Sequence, residues 1–305
     1  MTEESDGLGA RVTPHSCRPM KHLSALILLI VALLPARAEK TIVLIAGSAS
    51  HGKGEHEFRA GALLLADALN ANGYKTLVAS NGWPADPSIL QKADAILLFA
   101  NGGEGHPAIK PDRMKLLDSL AAKGVGIGAA HYGVEVPKGD PGAAMLRWTG
   151  GYFETFWSVN PTWTASFKQF PEHPVARGLK PFSIEDEWYF HMRFVPDMKG
   201  VTPILSAVAP TETMQRGDGP HSGNPAVREA VKRGEPQVLM WTYNRPGGGR
   251  GFGFTGAHFH KNWGNESFRK AMLNALVWIS GDAIPKNGIS STVTAEQLSR
   301  NQDPK

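Results

Sequence analysis

Thr41-Ile-Val-Leu-Ile-Ala46 is followed by the loop Gly47-Ser-Ala-Ser-His51-Gly-Lys-Gly54-Glu-His56-Glu57 and then by a segment opening at Phe58. The first six residues form a continuous aliphatic, β-rich run, the pattern of a strand buried on both faces. The segment from Phe58 sets Phe58, Leu65 and Leu69 on one helical face and stops at Asn72-Gly73. A buried strand, a polar Gly-rich loop and an amphipathic helix begin a βαβ unit.

The order then repeats. Tyr74–Ala79 reads as a second strand, and Asp94–Ala100 as a third that ends in Asn101-Gly102-Gly103. Pro111 opens a helix carrying Leu116, Leu117 and Leu120 that ends at Gly124, and Val125–Ala129 is a fourth strand. Strands alternating with helices predict an α/β fold, flavodoxin-like, with a mostly parallel central sheet and helices on both faces. Thr41–Ala46 and Val125–Ala129 are expected in the sheet interior. From Val136 to about Pro236 the pattern is less regular, with short antiparallel strands such as Thr162–Phe167 and Phe182–Tyr189. Gln237–Tyr243 and Arg250–Thr255 flank the Gly-rich turn Asn244–Gly249 as a hairpin. A last helix from Glu266 to Ser280 carries its apolar stripe on Phe268, Ala271, Met272, Ala275, Leu276 and Ile279. Residues from Pro285 on are polar and read as a loose tail. The division expected is 1–38 leader, 39–283 α/β domain and 284–305 tail.

The leader reading rests on Met20-Lys21-His22, the apolar run Leu23–Leu34 and Pro35-Ala36-Arg37-Ala38. These are a basic n-region, a short h-region and an A-x-A cleavage site. Met20 is the expected start and Ala38 the last residue removed, giving an exported protein, periplasmic or secreted. The run is too short for a spanning helix, so no stable membrane span is expected after cleavage. The single cysteine, Cys17, lies in the leader. The remainder then has no disulfide and no cysteine nucleophile. The whole chain carries +4; the leader holds four basic and three acidic residues, which leaves the remainder near +3. Its basic residues are dispersed, without the runs or aromatic interleaving of nucleic-acid binders.

Of the eleven histidines, six directly follow predicted strand ends: His51, His56, His106, His131, His258 and His260. In an open parallel sheet those loops gather at the carboxyl edge, where ligands bind. An imidazole-rich edge suggests metal or acid–base chemistry. The Gly47–Phe58 loop is neither a Walker A loop nor GxGxxG, and its histidines, Glu55 and Glu57 favour polar chemistry over phosphate cradling; a solvated capping loop is the alternative. In Ala129-Ala130-His131-Tyr132-Gly133, a strand turning sharply into a helix displays one side chain, as in a nucleophile elbow. His131 there suits a metal ligand or proton shuttle better than an acyl-transfer nucleophile, unless it is a buried structural histidine. In Ile184-Glu185-Asp186-Glu187-Trp188-Tyr189, alternation puts Glu185 and Glu187 on one face and Asp186 on the other. Buried acids need partners or a cation; otherwise this is an edge strand with a solvated face. In Gly256-Ala257-His258-Phe259-His260, the H-x-H spacing puts both imidazoles on one side of an extended segment. Trp188 and Trp263 offer flat faces on which a sugar could stack.

Taken together, these segments resemble the ThuA-like family, named for trehalose utilisation. The resemblance spans roughly Lys40–Asp282 and rests on Ser50-His51-Gly52, His131, Asp186-Glu187-Trp188-Tyr189, Gly256–His260 and Leu273-Asn274-Ala275-Leu276-Val277-Trp278. The stretches Glu135–Ala143 and Asp218–Pro225 look like a secreted subgroup typical of planctomycete-like bacteria. The family is similar in fold to class I glutamine amidotransferases, which place a cysteine at the elbow. Here His131 stands in its place, so glutaminase chemistry by the usual route is not expected.

The resemblance implies sugar catabolism, including routes through 3-keto sugars, and a small-molecule carbohydrate as partner. The expectation is a metal-dependent hydrolase, lyase or isomerase holding a divalent metal. Imidazole and carboxylate favour zinc, while manganese or iron would also be accepted. The expected ligands are His131, His258 and Glu187, with His51 or His56 completing the set. Acid–base roles fall to His260, His56, Glu57 and Tyr132. Substrate-facing roles fall to Trp188, Trp263, Asn101, Glu104, His106 and Asn262. The alternative is a non-catalytic sugar-binding or scaffold protein that keeps the fold without the chemistry.

Overall fold

The computed structural model describes Gly9 and residues 39–304. The leader features, from Met20 to Ala38 and including Cys17, lie outside the described residues. No helix among the described residues is long and apolar enough to cross a membrane.

In chain order the elements are β1 (Thr41–Ala46), α1 (Phe58–Ala71), β2 (Lys75–Ala79), β3 (Ala95–Phe99), α2 (Pro111–Ala122) and β4 (Gly126–Ala130). Then come α3 (Asp140–Thr149), β5 (Gly151–Tyr152), β6 (Thr162–Phe167), β7 (Phe182–Glu187), β8 (Arg193–Phe194) and β9 (Val201–Val208). The chain finishes with α4 (Pro225–Lys232), β10 (Pro236–Asn244), β11 (Arg250–Phe254), α5 (Glu266–Ile279) and α6 (Ala295–Ser299).

Seven strands form one sheet in the order β2-β1-β3-β4-β11-β10-β9. The first five run parallel, and β10 runs antiparallel to both β11 and β9. β1 lies between β2 and β3, and β4 between β3 and β11, so both stand in the interior as their composition requires. Alternate residues of β1 feed two cores. Ile42 and Leu44 join Leu65 of α1, Phe99, Phe254 and the α5 residues Phe268 and Leu276. Val43 and Ile45 join Leu117 of α2, Ile127 and the α3 residues Met145 and Trp148. Helices therefore cover both faces, and the carboxyl ends of β1, β3, β4 and β11 share one edge.

The middle segment supplies more order than its sequence pattern suggested. β6 and β7 pair antiparallel, with Trp163 opposite Asp186. The segment from Pro285, expected as a loose tail, is instead packed. Ile284 and Ile289 are buried, Arg269 donates to the Ser291 hydroxyl and carbonyl, and α6 carries a capping box at Thr294. A few apolar and backbone contacts suffice to dock a polar stretch whose composition alone signals freedom.

Candidate metal centre

Four loops converge at the carboxyl edge. After β1, the Gly54–His56 segment turns back and pairs with the segment after β11. Glu55 bridges Phe259, the His56 amide donates to the His258 carbonyl at 3.0 Å, and the His260 amide donates to the Gly54 carbonyl at 2.9 Å. At the end of β4, His131 takes a left-handed backbone with φ of 49°, and His56 and Ala257 have φ of 47° and 87°. Such strain persists where the surroundings over-determine it, and it clusters at functional sites. Gly102, after β3, makes the elbow possible, because a Cβ there would lie 2.3 Å from the Tyr132 carbonyl oxygen.

His56, His131, Glu187 and His258 each bring one ligand atom to a common point, all within 4.8 Å of one another. His131 Nε2 lies 2.8 Å from His56 Nε2 and 3.3 Å from His258 Nδ1. His56 Nε2 and His258 Nδ1 are 3.1 Å apart. Glu187 Oε2 is 3.1 Å from His258 Nδ1 and 3.6 Å from His131 Nε2. Donors bound tetrahedrally at about 2.0–2.1 Å stand about 3.3–3.4 Å apart. The observed spacings bracket that edge, and three imidazoles with one carboxylate are a zinc-type donor set.

The protonation state of His131 agrees. His131 is fully buried, and its Nδ1–H donates to the Thr255 carbonyl at 3.1 Å. A carbonyl only accepts, so Nε2 carries the lone pair aimed at the cluster. Burial, together with the neighbouring His258 and His51, holds the His131 pKa well below the ordinary imidazole value. That keeps the ligand form. Burial also acts to lower His258, but the hydrogen bond and charge of Glu187, with Asp186 and Glu55, outweigh it and raise its pKa. His131 thus stays in the ligand form, whereas His258 beside Glu187 favours its own protonated form, a proton that an ion bound at Nδ1 would displace.

Asp186 organises the site without joining it. Its carboxylate is fully buried and accepts from the amides of Ala257 at 2.8 Å, His258 at 3.0 Å and Glu187 at 2.9 Å, and from Asn262 Nδ2 at 2.9 Å. It clamps the end of β7 to the loop after β11, which brings Glu187 and His258 together. Alternation along β7 had set Asp186 opposite Glu185 and Glu187; the face it occupies is the buried one. The clamp was missed because its partners are backbone amides about 70 residues away. Tyr189 was also missed as a site residue. Its hydroxyl is 3.4 Å from His131 Nε2, and burial followed by nearby carboxylates pushes its pKa well up.

Other expected residues fall elsewhere. His51 is not among the converging four; it is exposed, bonded to Ser50 and packed on the His56 ring at 3.6 Å between centroids. The backbone pairing of 54–56 with 258–260 carries His56 inward and leaves His51 on the rim. Trp188 and Trp263 are buried at 0% and 1% exposure, packed on Phe254 and Phe268, and present no face to a ligand. Asn262 serves Asp186 and the Glu185 carbonyl. His260 donates to the Leu298 carbonyl at 2.9 Å, away from the cluster, because residues 260–264 form a 3-10 turn rather than extended chain. Glu57 accepts from the Gly54 and Asp303 amides and is buried. His106 is buried, with Nε2 on the Gly133 carbonyl at 3.1 Å and Nδ1 accepting from Ala108, so it supports the elbow turn from beneath. Asn101 donates to Ser48, and Glu104 is exposed. Tyr132 does border the site, with its ring 5.6 Å from that of His56.

Residues 43–279 match the family described as ThuA, trehalose utilisation, and the chain belongs to that family. Its fold is similar to a ThuA-like protein from Bacteroides uniformis, with 16% identity, a TM-score of 0.54, and 79% of this chain and 91% of that one covered. It is likewise similar to a ThuA-like protein from Parabacteroides merdae, with 14% identity, a TM-score of 0.53, and 87% and 100% covered. A glutamine amidotransferase from Thermotoga maritima aligns at 7% identity and a TM-score of 0.43, covering 79% and 98%. No curated protein matches the chain.

Proposed function

We propose that this chain is an exported, metal-dependent enzyme of carbohydrate catabolism, acting on a sugar or an oxidised (3-keto) glycoside by hydrolysis, elimination or isomerisation. The observation that carries the reading is the convergence of His56, His131, Glu187 and His258, in a family described by trehalose utilisation. Zinc is the ion the donor set favours. A divalent cation there would supply Lewis-acid stabilisation of negative charge growing on a keto or enediolate oxygen. The chain's own groups bind and orient. Asp186 fixes the His258 loop, Thr255 fixes the His131 tautomer, and the Tyr132 and Tyr189 rings close the cluster from the side. A purely sugar-binding scaffold is the weaker reading, because Trp188 and Trp263 are buried and a scaffold does not require three imidazoles around one point.

Elemental analysis of protein purified without a His-tag tests the metal. About one equivalent of a divalent ion is expected, lost in His131→Ala and His258→Ala while circular dichroism is retained. A chain that neither contains nor takes up zinc, manganese or iron(II) would overturn the proposal. Export is tested by N-terminal sequencing from the native host: Glu39 is expected, and an intact Met20 terminus on cytoplasmic protein would refute it.

A further inference from the structure

Beside the metal cluster stands a second ionisable pair. Glu135, at the end of the elbow turn, is buried at 3% exposure, and its Oε1 accepts from His221 Nε2 at 2.9 Å. His221 arrives on the loop Asp218-Gly-Pro-His221-Ser-Gly. The Gly219–Gly223 bridge closes that loop. The His221 carbonyl also accepts from the Asn160 amide at 3.0 Å and from Arg216 at 3.1 Å. Asn160 in turn donates to Glu187 Oε1 at 3.1 Å, so one short chain of contacts joins His221 to a metal-site carboxylate. A ring path runs in parallel: His221 stacks on Phe153, Phe153 meets Tyr189, and Tyr189 meets His131.

We propose that the Glu135–His221 pair is the hydrogen-bond- and proton-donating arm of this metal site, with His221 meeting an oxygen of a polyhydroxylated ligand anchored on the cation. The inference rests on the metal-centre reading above. Three features carry it. The pair is built on geometry, with a buried carboxylate committed to one imidazole nitrogen. His221 is half-buried and its Nδ1 has no protein partner among the described residues, so one N–H remains for a ligand. The groups that face His221 favour its cation: the Glu135 hydrogen bond raises its pKa above the ordinary value, and Glu187 adds to that, against burial and Arg216. In turnover His221 gives the Nδ1 proton to the ligand oxygen as negative charge builds there or as its bond breaks. It becomes the neutral Nε2–H tautomer, still bonded to Glu135, and is reprotonated from water.

The test uses the zinc-loaded chain with two probes. Acetohydroxamate has a metal-chelating head alone, and D-gluconohydroxamate has the same head with a polyhydroxyl tail. Metal content is measured first for wild type, His221→Ala and Glu135→Gln; all should carry equal zinc. Loss of a charge-assisted hydrogen bond should weaken gluconohydroxamate about tenfold in His221→Ala and leave acetohydroxamate within about twofold. In parallel, histidine NMR should show His221 titrating above the ordinary imidazole range in wild type and falling back in Glu135→Gln. Equal effects on both probes, no effect on either, or a His221 titration indifferent to Glu135 would overturn the proposal. Failure of wild type to take up zinc would overturn the metal-centre reading itself, and this inference with it.

Discussion

Replacing Asp186 by Asn changes one atom at the buried junction that holds the two halves of the metal centre together. Asp186 Oδ1 accepts from the Glu187 and His258 amides, and Oδ2 from the Ala257 amide and Asn262 Nδ2. Whichever way the new carboxamide is turned, its NH2 faces at least two N–H donors at 3.0 Å or less. The bonds from Ala257, His258 and Asn262 are buried and that from Glu187 is partly so, and a buried donor left unmatched costs its desolvation. Hydrogen bonds to a charged acceptor contribute about 1.5–3 kcal/mol each, so losing two destabilises the fold by about 3–6 kcal/mol. The same loss releases His258 from Glu187, whose ligand atoms stand 3.1 Å apart. Outer partners of metal ligands typically govern about 10–100-fold in affinity. Urea unfolding of metal-free protein should show a lower midpoint at unchanged slope, and competition with a chromogenic chelator should show weakened zinc binding. A variant within about 1 kcal/mol of wild type in stability and with zinc affinity in the wild-type range would refute the clamp.

Three other parts of the fold carry expected outcomes of their own. Trp188→Ala should cost about 3–5 kcal/mol of stability, because the indole is fully buried; calorimetry showing an unchanged Tm would contradict its placement. Buried His106 has its pKa lowered to about 4 by desolvation, from 6.5. The unfolded chain therefore binds the proton first as pH falls, and stability full above about 6.5 should decline by about 3 kcal/mol towards pH 4. Denaturant titrations across that window should be less steep in His106→Asn, and equal slopes would count against the assignment. Ending the chain after Asp282 removes buried Ile284 and Ile289 and the Ser291 partner of Arg269. At about 1.5–3 kcal/mol per buried isoleucine the loss should exceed about 3 kcal/mol, and wild-type thermal stability in the truncated protein would show the segment to be dispensable.

The sheet was legible because a strand buried on both faces must be apolar throughout. Thr41–Ala46 and Thr162–Phe167 coincide with their expected bounds, and the other expected strands of the parallel half differ from the observed ones by a single residue at the ends. β9 and α3 were not read. β9 carries Thr202, Pro203 and Ser206 among its apolar residues, and α3 begins Asp-Pro-Gly, which reads as a turn before it reads as a helix. The tail was misjudged for a related reason: composition reports the average residue, whereas docking needed only Ile284, Ile289 and a few backbone contacts.

At the site, the sequence by itself determined that histidines would crowd one edge, because parallel topology sends every βα loop to the same side. It also singled out His131, since only one residue sits at a strand-to-helix elbow. Choosing between His51 and His56 required the tertiary structure. Both lie in one loop, and the choice is made by amide pairing of residues 54–56 with 258–260, some 200 positions away. The same holds for the tryptophans. An indole is equally suited to a sugar face and to a core, and only tertiary packing decided: Phe254 and Phe268 cover Trp188, and Phe99 and Phe268 cover Trp263. Residue type and local spacing decide which chemistry is available; long-range backbone pairing decides which side chains meet to perform it.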